Sequence, residues 1–414
     1  MRLALNFPRI DPARGGAETY LVDLCQGLIR AGHQVDLYAE RWVSGCLPPE
    51  VRCVAVPAAG NTRLQRLWAF ARNSEAALAG GAYDCTVGFI NTYAHDVIIP
   101  QGGVLRGSLA ANAQRFAHPI ARRLYVLGKT LNPSYWTYRA IERRQYAASR
   151  EARVIAVSHL VRRHLQDIHQ VPRSRIHVVP NAIDPERLRV AQPGAVRCRF
   201  RNRLGLEPSD LVGLFVGHNF ALKGLEPLLR GLARHRRAGG RSIHLLVCGG
   251  GRAGAYRRLA ARLGLGESVR FLGHYPDVRD CYWSSDFFAS PTYYDPCSLV
   301  VLEALACGLP VITTACNGAS ELMTDGRQGR ILSHPTDSPG LLAALGEMAD
   351  DRRRRAMAAE ALKLGRAHTF ENHLAALVRV FEEVAEAKRR KAHAGKTGGG
   401  PHGRARRNRK NAPR

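Results

Sequence analysis

Residues 291–322, PTYYDPCSLVVLEALACGLPVITTACNGASEL, decide the fold that we expect. A loop carrying Asp295 turns into an apolar helix near Ser298, and Glu303 follows one turn inside that helix. Pro310 then opens a β-branched run that is typical of a buried strand. A loop, a helix and a strand in this order predict one repeating unit of a parallel sheet.

The same alternation of short β-rich runs and longer amphipathic stretches continues along most of the chain. In the first half we predict strands at Met1–Asn6, Gln34–Tyr38, Val51–Val56, Cys85–Phe89 and Val154–Val157. In the second half we predict strands at Leu211–Val216, His244–Cys248, Val269–Leu272, Phe287–Ser290 and Val311–Thr313. The expected fold class is α/β, with Rossmann-like domains over 1–175 and 176–370, a helix over 371–389 and a disordered basic tail over 390–414.

Three glycine-containing turns follow predicted strands and open predicted helices. At such turns the backbone comes close to a ligand, and free N–H groups at the helix start bind phosphate. The chain has neither a G-x-G-x-x-G fingerprint in its usual place nor a G-x-x-x-x-G-K-[ST] motif, which argues against an NAD enzyme or a P-loop NTPase. The turns carry Gly15 with Gly16, Gly217 with Lys223 and Gly224, and Gly249–Gly251.

Two carboxylates in residues 291–322 lie eight positions apart, on either side of a helix start. The unpaired N–H groups of that helix start suit a diphosphate. Glu303 would then lie beside the ribose of the same nucleotide, and Asp295 would reach a sugar attached beyond the phosphates.

The composition allows two ordinary globular domains, since 45% of the 414 residues are hydrophobic. No apolar run approaches the roughly 20 residues that span a bilayer. Ten scattered cysteines without C-x-x-C pairs favour reduced thiols in a cytosolic protein.

The formal charge is +27, and about +16 of it remains without the eleven Lys and Arg from Lys388 onward. Such a surface attracts nucleic acid, an anionic membrane leaflet or an acidic glycolipid.

Residues 104–151 interrupt the alternation and hold nine Lys or Arg against two glutamates. Basic residues mixed with aromatic ones are typical of a helix that lies on an anionic bilayer. Solvated arginine faces over an ordinary core have the same appearance, so both interpretations stay open. The aromatic residues are Phe116, Tyr125, Tyr135, Trp136, Tyr138 and Tyr146.

Residues 291–322 resemble the E-x7-E region of retaining glycosyltransferases of family 4, which have the GT-B fold of two facing Rossmann-like domains. The resemblance extends to about residue 390 and implies a C-terminal helix that crosses back to the N-terminal domain. Within the family it is nearest to lipopolysaccharide-core glucosyltransferases that act on a heptose. Its further motifs are GGAE at 15–18, VIAVSHLVRRHL at 154–165, VVPNAIDPERL at 178–188, VRFLGH at 269–274 and LEALACGLPVI at 302–312.

The resemblance implies a role for each matching position. Lys223 would neutralise the diphosphate, and Asp295 would stand where the family usually has a glutamate that contacts the sugar. The remaining donor-binding candidates are Gly15, Gly16, Gly217, His218, His274, Ser298, Leu299, Val300 and Glu303. Many relatives also carry a functional histidine in the N-terminal domain, for which NTYAHDVIIPQGG at 91–103 offers His95, Asp96 or Gln101. Of these His95 is the catalytic candidate beside Asp295 and Lys223, and an ordinary polar loop residue is the other interpretation of it.

The resemblance further implies a metal-independent hexosyltransferase without a resident cofactor. We expect glucose from UDP-glucose to pass to a lipopolysaccharide-core-type or other glycolipid acceptor, in the cytoplasm at the inner face of the membrane. A mannosyl- or galactosyltransferase of exopolysaccharide synthesis is the alternative, and a nucleic-acid-binding protein is a remote one. The expected partners are a nucleotide sugar, a saccharide acceptor and an anionic membrane surface, with no specific nucleic acid.

Overall fold

The first domain is built on a parallel sheet of seven strands in the order β5-β3-β1-β6-β7-β8-β9. We describe it from a computed structural model that covers residues 1–93, 95–147, 151–275 and 277–397. The strands are β1 (Arg2–Asn6), β3 (Gln34–Ala39), β5 (Arg52–Ala55), β6 (Cys85–Gly88), β7 (Val97–Ile98), β8 (Arg153–Ala156) and β9 (Ile176–Val178), and β2 (Arg9–Ile10) pairs with β4 (Arg41–Trp42) outside this sheet. The helices are α1 (Gly16–Arg30), α2 (Arg63–Ala79), α3 (Leu105–Ala113), α4 (Pro119–Thr130), α5 (Pro133–Tyr146) and α6 (His159–His169).

The second domain repeats the design on a six-stranded parallel sheet in the order β12-β11-β10-β13-β14-β15. Its strands are β10 (Leu211–Val216), β11 (Ile243–Cys248), β12 (Val269–Gly273), β13 (Phe287–Ala289), β14 (Val311–Thr314) and β15 (Gly329–Leu332). Its helices are α7 (Pro193–Arg203), α8 (Leu225–Arg237), α9 (Gly254–Arg262), α10 (Val278–Ser284), α11 (Leu299–Ala306), α12 (Ser338–Ala349) and α13 (Asp351–Ala367).

The central strands of both sheets are buried on both faces, as helices cover each side. Leu3 and Leu5 of β1, and Leu214 and Phe215 of β10, have no exposed surface. The α/β fold with two parallel sheets that the sequence predicted is confirmed, and strands β1, β3, β10 and β11 lie within one residue of their predicted bounds.

Helix α14 (Phe370–Thr397) leaves the second domain and packs on α1 and β6 of the first. Lys388 fixes its far part by donating to the Tyr83 carbonyl (3.0 Å) and the Asp96 carboxylate (2.9 Å). The predicted crossing helix is therefore present, but it extends eight residues past 389, so the prediction of a disordered tail from 390 is wrong up to 397. The rest of that tail, 398–414, lies outside the described residues.

The boundary between the two sheets also differs from the prediction of 175. Strand β9 pairs with β8 in the first sheet through Val154 and Ile176. The chain therefore leaves the first sheet after Val178, within the stretch VVPNAIDPERL.

Helices α3, α4 and α5 form the segment that interrupts the alternation. The N-terminal caps of α4 and α5 are His118 and Asn132, each followed by a proline at the first helical position. Helix α4 has no buried residue, whereas α5 buries Thr137 and Ile141. None of the helices in the described ranges is long and apolar enough to cross a membrane.

A side chain at Gly224 would cause both backbone strain and a steric clash, whereas a side chain at Gly239 would cause backbone strain alone. Its φ is +78°, and a Cβ there would lie 1.9 Å from the Pro291 carbonyl oxygen, whereas Gly239 has φ +77° and open space around it. We expect Gly239→Ala to cost about 1 kcal/mol from backbone strain alone and Gly224→Ala about 3 kcal/mol or more, because a backbone clash is added. Urea unfolding measures both values, and equal losses would contradict the close approach of Gly224 to Pro291.

Candidate active site between the two domains

Lys223 and Asp295 form an ion pair at the carboxyl end of the second sheet. Lys223 lies in the turn between β10 and α8, and Asp295 lies in the loop after β13. That turn packs against this loop because the Leu222 carbonyl accepts from the Tyr293 N–H (2.8 Å) and the Thr292 hydroxyl (3.0 Å). The two residues predicted from separate motifs are thus brought together in one place.

The glycine turns after β10 and β11 pack directly on each other. The Gly217 N–H donates to the Cys248 carbonyl (3.0 Å), and a Cβ on Gly249 would lie 2.0 Å from the Gly217 carbonyl oxygen. This contact leaves the exposed rings of His218 and His274 stacked, with centroids 6.5 Å apart and an angle of 24° between planes. Both predicted histidines therefore lie at the same end of the sheet as Lys223.

Helix α11 begins at the same edge, directly after the Asp295 loop. Its N-cap residue, Ser298, makes no side-chain hydrogen bond to the helix, so the N–H groups of Leu299 and Val300 are left to an external acceptor. The Ser298 N–H instead donates to Asn317 Oδ1 (3.3 Å). Phosphate binding by the Ser298 N–H therefore stays a prediction that requires this bond to be exchanged, as does phosphate binding by Leu299 and Val300.

Glu303 lies in the second turn of α11, where it accepts from the Tyr282 hydroxyl (2.7 Å). Burial raises the pKa of Glu303, and the Tyr282 hydrogen bond and the Arg187 guanidinium lower it by less. Burial also holds the pKa of Tyr282 well above its usual range, which keeps its proton available for this bond. The carboxyl group is thus held by Tyr282 in the second turn of α11, and its contact with a ribose stays a prediction.

The first domain reaches the site through the Gly15-Gly16 loop and helix α1. A Cβ on Gly16 would lie 3.2 Å from Leu299 Cδ1, so this loop lies against the start of α11. Two turns further along α1, Asp23 accepts from the Arg187 guanidinium (2.6 Å). Burial raises the pKa of Asp23 to about 6, although Arg187 opposes the shift.

The three candidates in residues 91–103 have different surroundings. His95 is buried at the carboxyl ends of β1 and β6, where its Nε2 is 3.1 Å from the Asn6 amide nitrogen. Asp96 accepts from the Thr86 hydroxyl (2.9 Å) and from Lys388, which is a structural role at the crossing helix. Gln101 exchanges two hydrogen bonds of 3.0 Å with Asn181.

Asn181 is the residue of the site that sequence reasoning missed. Its amide also donates to the Cys297 carbonyl (3.2 Å), and its own carbonyl accepts from His368 (2.7 Å). It therefore joins a loop of the first domain, the loop before α11 and the segment that leads to α14. The signal for it in the sequence is the asparagine of the motif VVPNAIDPERL at 178–188.

The arrangement gathers a cation, free helix N–H groups and two carboxylates along one edge, across from a glycine loop of the other domain. It can bind a diphosphate and stabilise negative charge that develops on it. Among the residues that the structure describes, no group of three or more His, Cys, Asp or Glu side chains is placed to hold a metal ion.

Two family models match the chain, one for each domain. Residues 14–187 match Glycosyltransferase Family 4, and residues 210–351 match Glycosyl transferases group 1. The lipopolysaccharide glucosyltransferase WaaG of Escherichia coli is 24% identical over 324 residues, which are 78% of this chain and 82% of WaaG. A D-inositol 3-phosphate glycosyltransferase of Xylanimonas cellulosilytica is 28% identical over 406 residues, which are 90% of this chain and 93% of that protein.

Solved structures show the same fold. The crystal structure of WaaG superposes with a TM-score of 0.76 at 23% identity, covering 93% of this chain and 99% of WaaG. Anabaena HepE in complex with UDP-glucose superposes with a TM-score of 0.64 at 17% identity, covering 94% of this chain and 99% of HepE. The two-domain GT-B fold that the motifs implied is therefore confirmed.

The Asp23 pKa predicts how stability depends on pH. Its pKa is about 6 in the native state against an ordinary 3.8, so the native state binds more protons between these values. The contribution of Asp23 to the free energy of unfolding therefore falls by about 3 kcal/mol as the pH rises through this window. We expect Asp23→Asn to remove that fall, and Arg187→Gln to enlarge it because the guanidinium lowers the pKa.

Urea unfolding of the wild type, Asp23→Asn and Arg187→Gln near pH 4 and pH 7 measures how the free energy of unfolding of each protein changes with pH. An Asp23→Asn protein whose stability changes with pH as much as that of the wild type would contradict the assignment.

Proposed function

We infer the function from the family, since the chain belongs to glycosyltransferase family 4 and has a C-terminal domain of the glycosyl transferases group 1. We propose that it moves glucose from UDP-glucose to a glycolipid saccharide of the lipopolysaccharide-core type. The anomeric configuration is retained in the proposed reaction. The observation that carries this proposal is the Lys223–Asp295 pair beside the open start of α11. A charged donor needs a cation and free N–H groups at one place, and an attached sugar needs a polar acceptor next to them.

In the proposed complex the diphosphate lies on the Leu299 and Val300 N–H groups, and Lys223 neutralises it. Lys223 then shares its charge between the diphosphate and Asp295, which faces the sugar. Glu303 accepts from the ribose hydroxyls. The bond between the anomeric carbon and the phosphate oxygen breaks, and a bond to the acceptor oxygen forms on the same face. The acceptor proton passes to the departing phosphate oxygen, so the reaction needs neither a protein nucleophile nor a metal ion.

Glucose and UDP are the proposed donor parts for two reasons. WaaG is named a glucosyltransferase, and HepE has been solved with UDP-glucose bound.

Asp295 has a shorter side chain than the glutamate that the family usually has there, so a sugar hydroxyl must come closer to the backbone of this loop. This loop position is buried, with Asp295 only 7% exposed, which favours a single sugar orientation.

Replacing Lys223 tests the donor site. We expect Lys223→Met to weaken UDP binding by about 10- to 100-fold, because a charge-assisted hydrogen bond to phosphate contributes about 1.5–3 kcal/mol. Lys363→Met, on the exposed face of α13, is the matched control and should bind UDP as the wild type does. Isothermal titration measures the affinity and a coupled UDP-release assay the turnover. Wild-type UDP affinity in Lys223→Met would refute this site.

We also propose that helix α4 rests on an anionic membrane, since a lipid-linked acceptor is presented there. Four apolar side chains form one exposed stripe at helical spacing, which we call the α4 stripe: Ile120, Leu124, Leu127 and Leu131, exposed by 59%, 62%, 53% and 72%. Arg122, Arg123 and Lys129 alternate with the stripe along the helix. An exposed apolar stripe among cations is the composition that binds the surface of an anionic bilayer. The proposed reaction then takes place at the inner face of the cytoplasmic membrane.

Vesicle binding tests this contact. Replacing Leu124 and Leu127 together by Ser should lower binding to phosphatidylglycerol vesicles at least about tenfold, because each buried leucine contributes about 1.5–3 kcal/mol. Val43→Ser alters another exposed apolar residue, 48% exposed and outside the α4 stripe, and should leave binding unchanged. Flotation with phosphatidylglycerol and with phosphatidylcholine vesicles provides the comparison. Equal binding of both lipids, or full binding by the double variant, would rule out the proposed contact.

A further inference from the structure

A separate cavity of about 470 Å³ opens in the first domain, where Arg14 and Glu18 on either side of the Gly15-Gly16 loop line it. Phe7 and Pro8 line it directly after β1, and Ile90 and Asn91 line it shortly after β6. These positions are at the carboxyl ends of parallel strands, where α/β domains bind ligands. We call this cavity the arginine pocket, because four of its lining residues are arginines: Arg9, Arg14, Arg63 and Arg66.

The arginine pocket carries more positive than negative charge. Its lining holds two carboxylates, Glu18 and Glu40. Arg9 is already neutralised by an ion pair with Glu40 (2.9 Å). Glu18 remains to face three further guanidinium groups, those of Arg14, Arg63 and Arg66. An uncharged ligand would leave the excess positive charge of the pocket unpaired, whereas an oxyanion would neutralise it.

Arg66 has one side-chain nitrogen that the described part of the fold leaves without a partner. Its Nε is fully buried and has no hydrogen-bond partner among the described residues. A buried donor without an acceptor costs free energy, and a ligand in the pocket would supply the acceptor that Arg66 Nε lacks. Arg63 is positioned differently, since it donates to the Tyr138 hydroxyl (2.9 Å) on α5.

Backbone conformation gives an independent sign of function at the same pocket. Asn91, one of its lining residues, has φ +57°, which is one of two positive φ values among the described non-glycine residues. Such a conformation costs free energy, and it persists where a binding site requires it. The arginine pocket therefore combines an unpaired buried donor, a cation excess and a strained lining residue.

We infer that the arginine pocket binds an oxyanion on the acceptor, and that this oxyanion is a phosphate monoester next to the sugar that receives the glucosyl group. The inference rests on the proposed function, because it assigns this pocket to the acceptor of that reaction. Guanidinium groups pair with phosphate through two parallel hydrogen bonds, and a phosphate monoester carries up to two charges for three arginines. A sugar carboxylate presents the same chemistry with one charge, and the test distinguishes the two.

Position within the fold agrees with an acceptor that belongs to a lipid. Tyr138, which lines the arginine pocket and holds Arg63, is on α5, the helix that directly follows α4 and its exposed apolar stripe. An acceptor head group in the pocket thus lies beside the part of the protein that we place on the membrane.

Binding of small acceptor analogues to the full chain, with UDP present, tests the inference. The probes are glucose, mannose and myo-inositol, each as the neutral compound and as its phosphate monoester, together with glucuronic acid. We expect at least one phosphate monoester to bind about tenfold or more tightly than its neutral parent, and more tightly than glucuronic acid. Arg66→Gln should weaken that phosphate monoester about tenfold or more and leave UDP affinity unchanged. The matched control is Arg72→Gln, an exposed arginine on the same helix outside the pocket, which should bind as the wild type does.

The outcomes separate the two proposals. If wild-type protein fails to bind UDP, the proposed function fails, and the acceptor inference fails with it. If the wild type binds UDP but no phosphate monoester exceeds its neutral parent, only the acceptor inference is overturned. Unchanged affinity for the phosphate monoester in Arg66→Gln overturns the acceptor inference as well. If glucuronic acid binds more tightly than every phosphate monoester, the pocket prefers a carboxylate, and the inferred phosphate monoester is contradicted. Thermal unfolding of Arg66→Gln, with and without UDP, confirms that the variant is folded and that its donor site is intact.

Discussion

The side chain and backbone carbonyl of Asn181 make hydrogen bonds that join the two domains, and the active site depends on this contact between them. Its amide is bonded to Gln101 in the first domain and to the Cys297 carbonyl in the second. The neighbouring Pro180 carbonyl accepts from His373 Nδ1 (2.7 Å), whose other nitrogen accepts from the Tyr20 hydroxyl (2.9 Å). Burial lowers the pKa of His373 to about 4, so the ring stays neutral and can donate on one side and accept on the other.

A second link of a different kind runs beside this network. The Arg187 guanidinium donates to Asp23 on α1 and also lowers the pKa of Glu303 on α11. One cation thus stabilises a carboxylate from each domain in a site where burial raises the pKa of both. A ligand that binds Glu303 changes the charge that Arg187 experiences, and through Arg187 it acts on Asp23. In the proposed donor complex, binding at Glu303 would therefore be coupled through Arg187 to Asp23 of the first domain.

The sequence predicts those parts of the structure that depend on local patterns. The α/β class, most strands, the crossing helix and the joint position of Lys223 and Asp295 all follow from periodicity, glycine turns and motif spacing. Wrong or missing predictions concern contacts between distant residues. Asn181, for which no role was predicted, is 80 residues from Gln101. Nor could local patterns assign β9 to the first sheet, because its partner β8 is separated from it by a whole helix.

Our proposals give the excess positive charge of the chain two distinct uses in the described part of the fold. On α4 the cations surround an exposed apolar stripe, where they contribute long-range attraction to a surface and are screened by salt. In the arginine pocket Arg66 is partly buried and Arg63 is held by Tyr138, so in our proposal they recognise one oxyanion through directed hydrogen bonds and depend less on long-range attraction. The two uses support each other, because a membrane that attracts α4 also concentrates anionic head groups beside α5. An acceptor whose phosphate fits the pocket is then selected from that surface by geometry, not by charge alone.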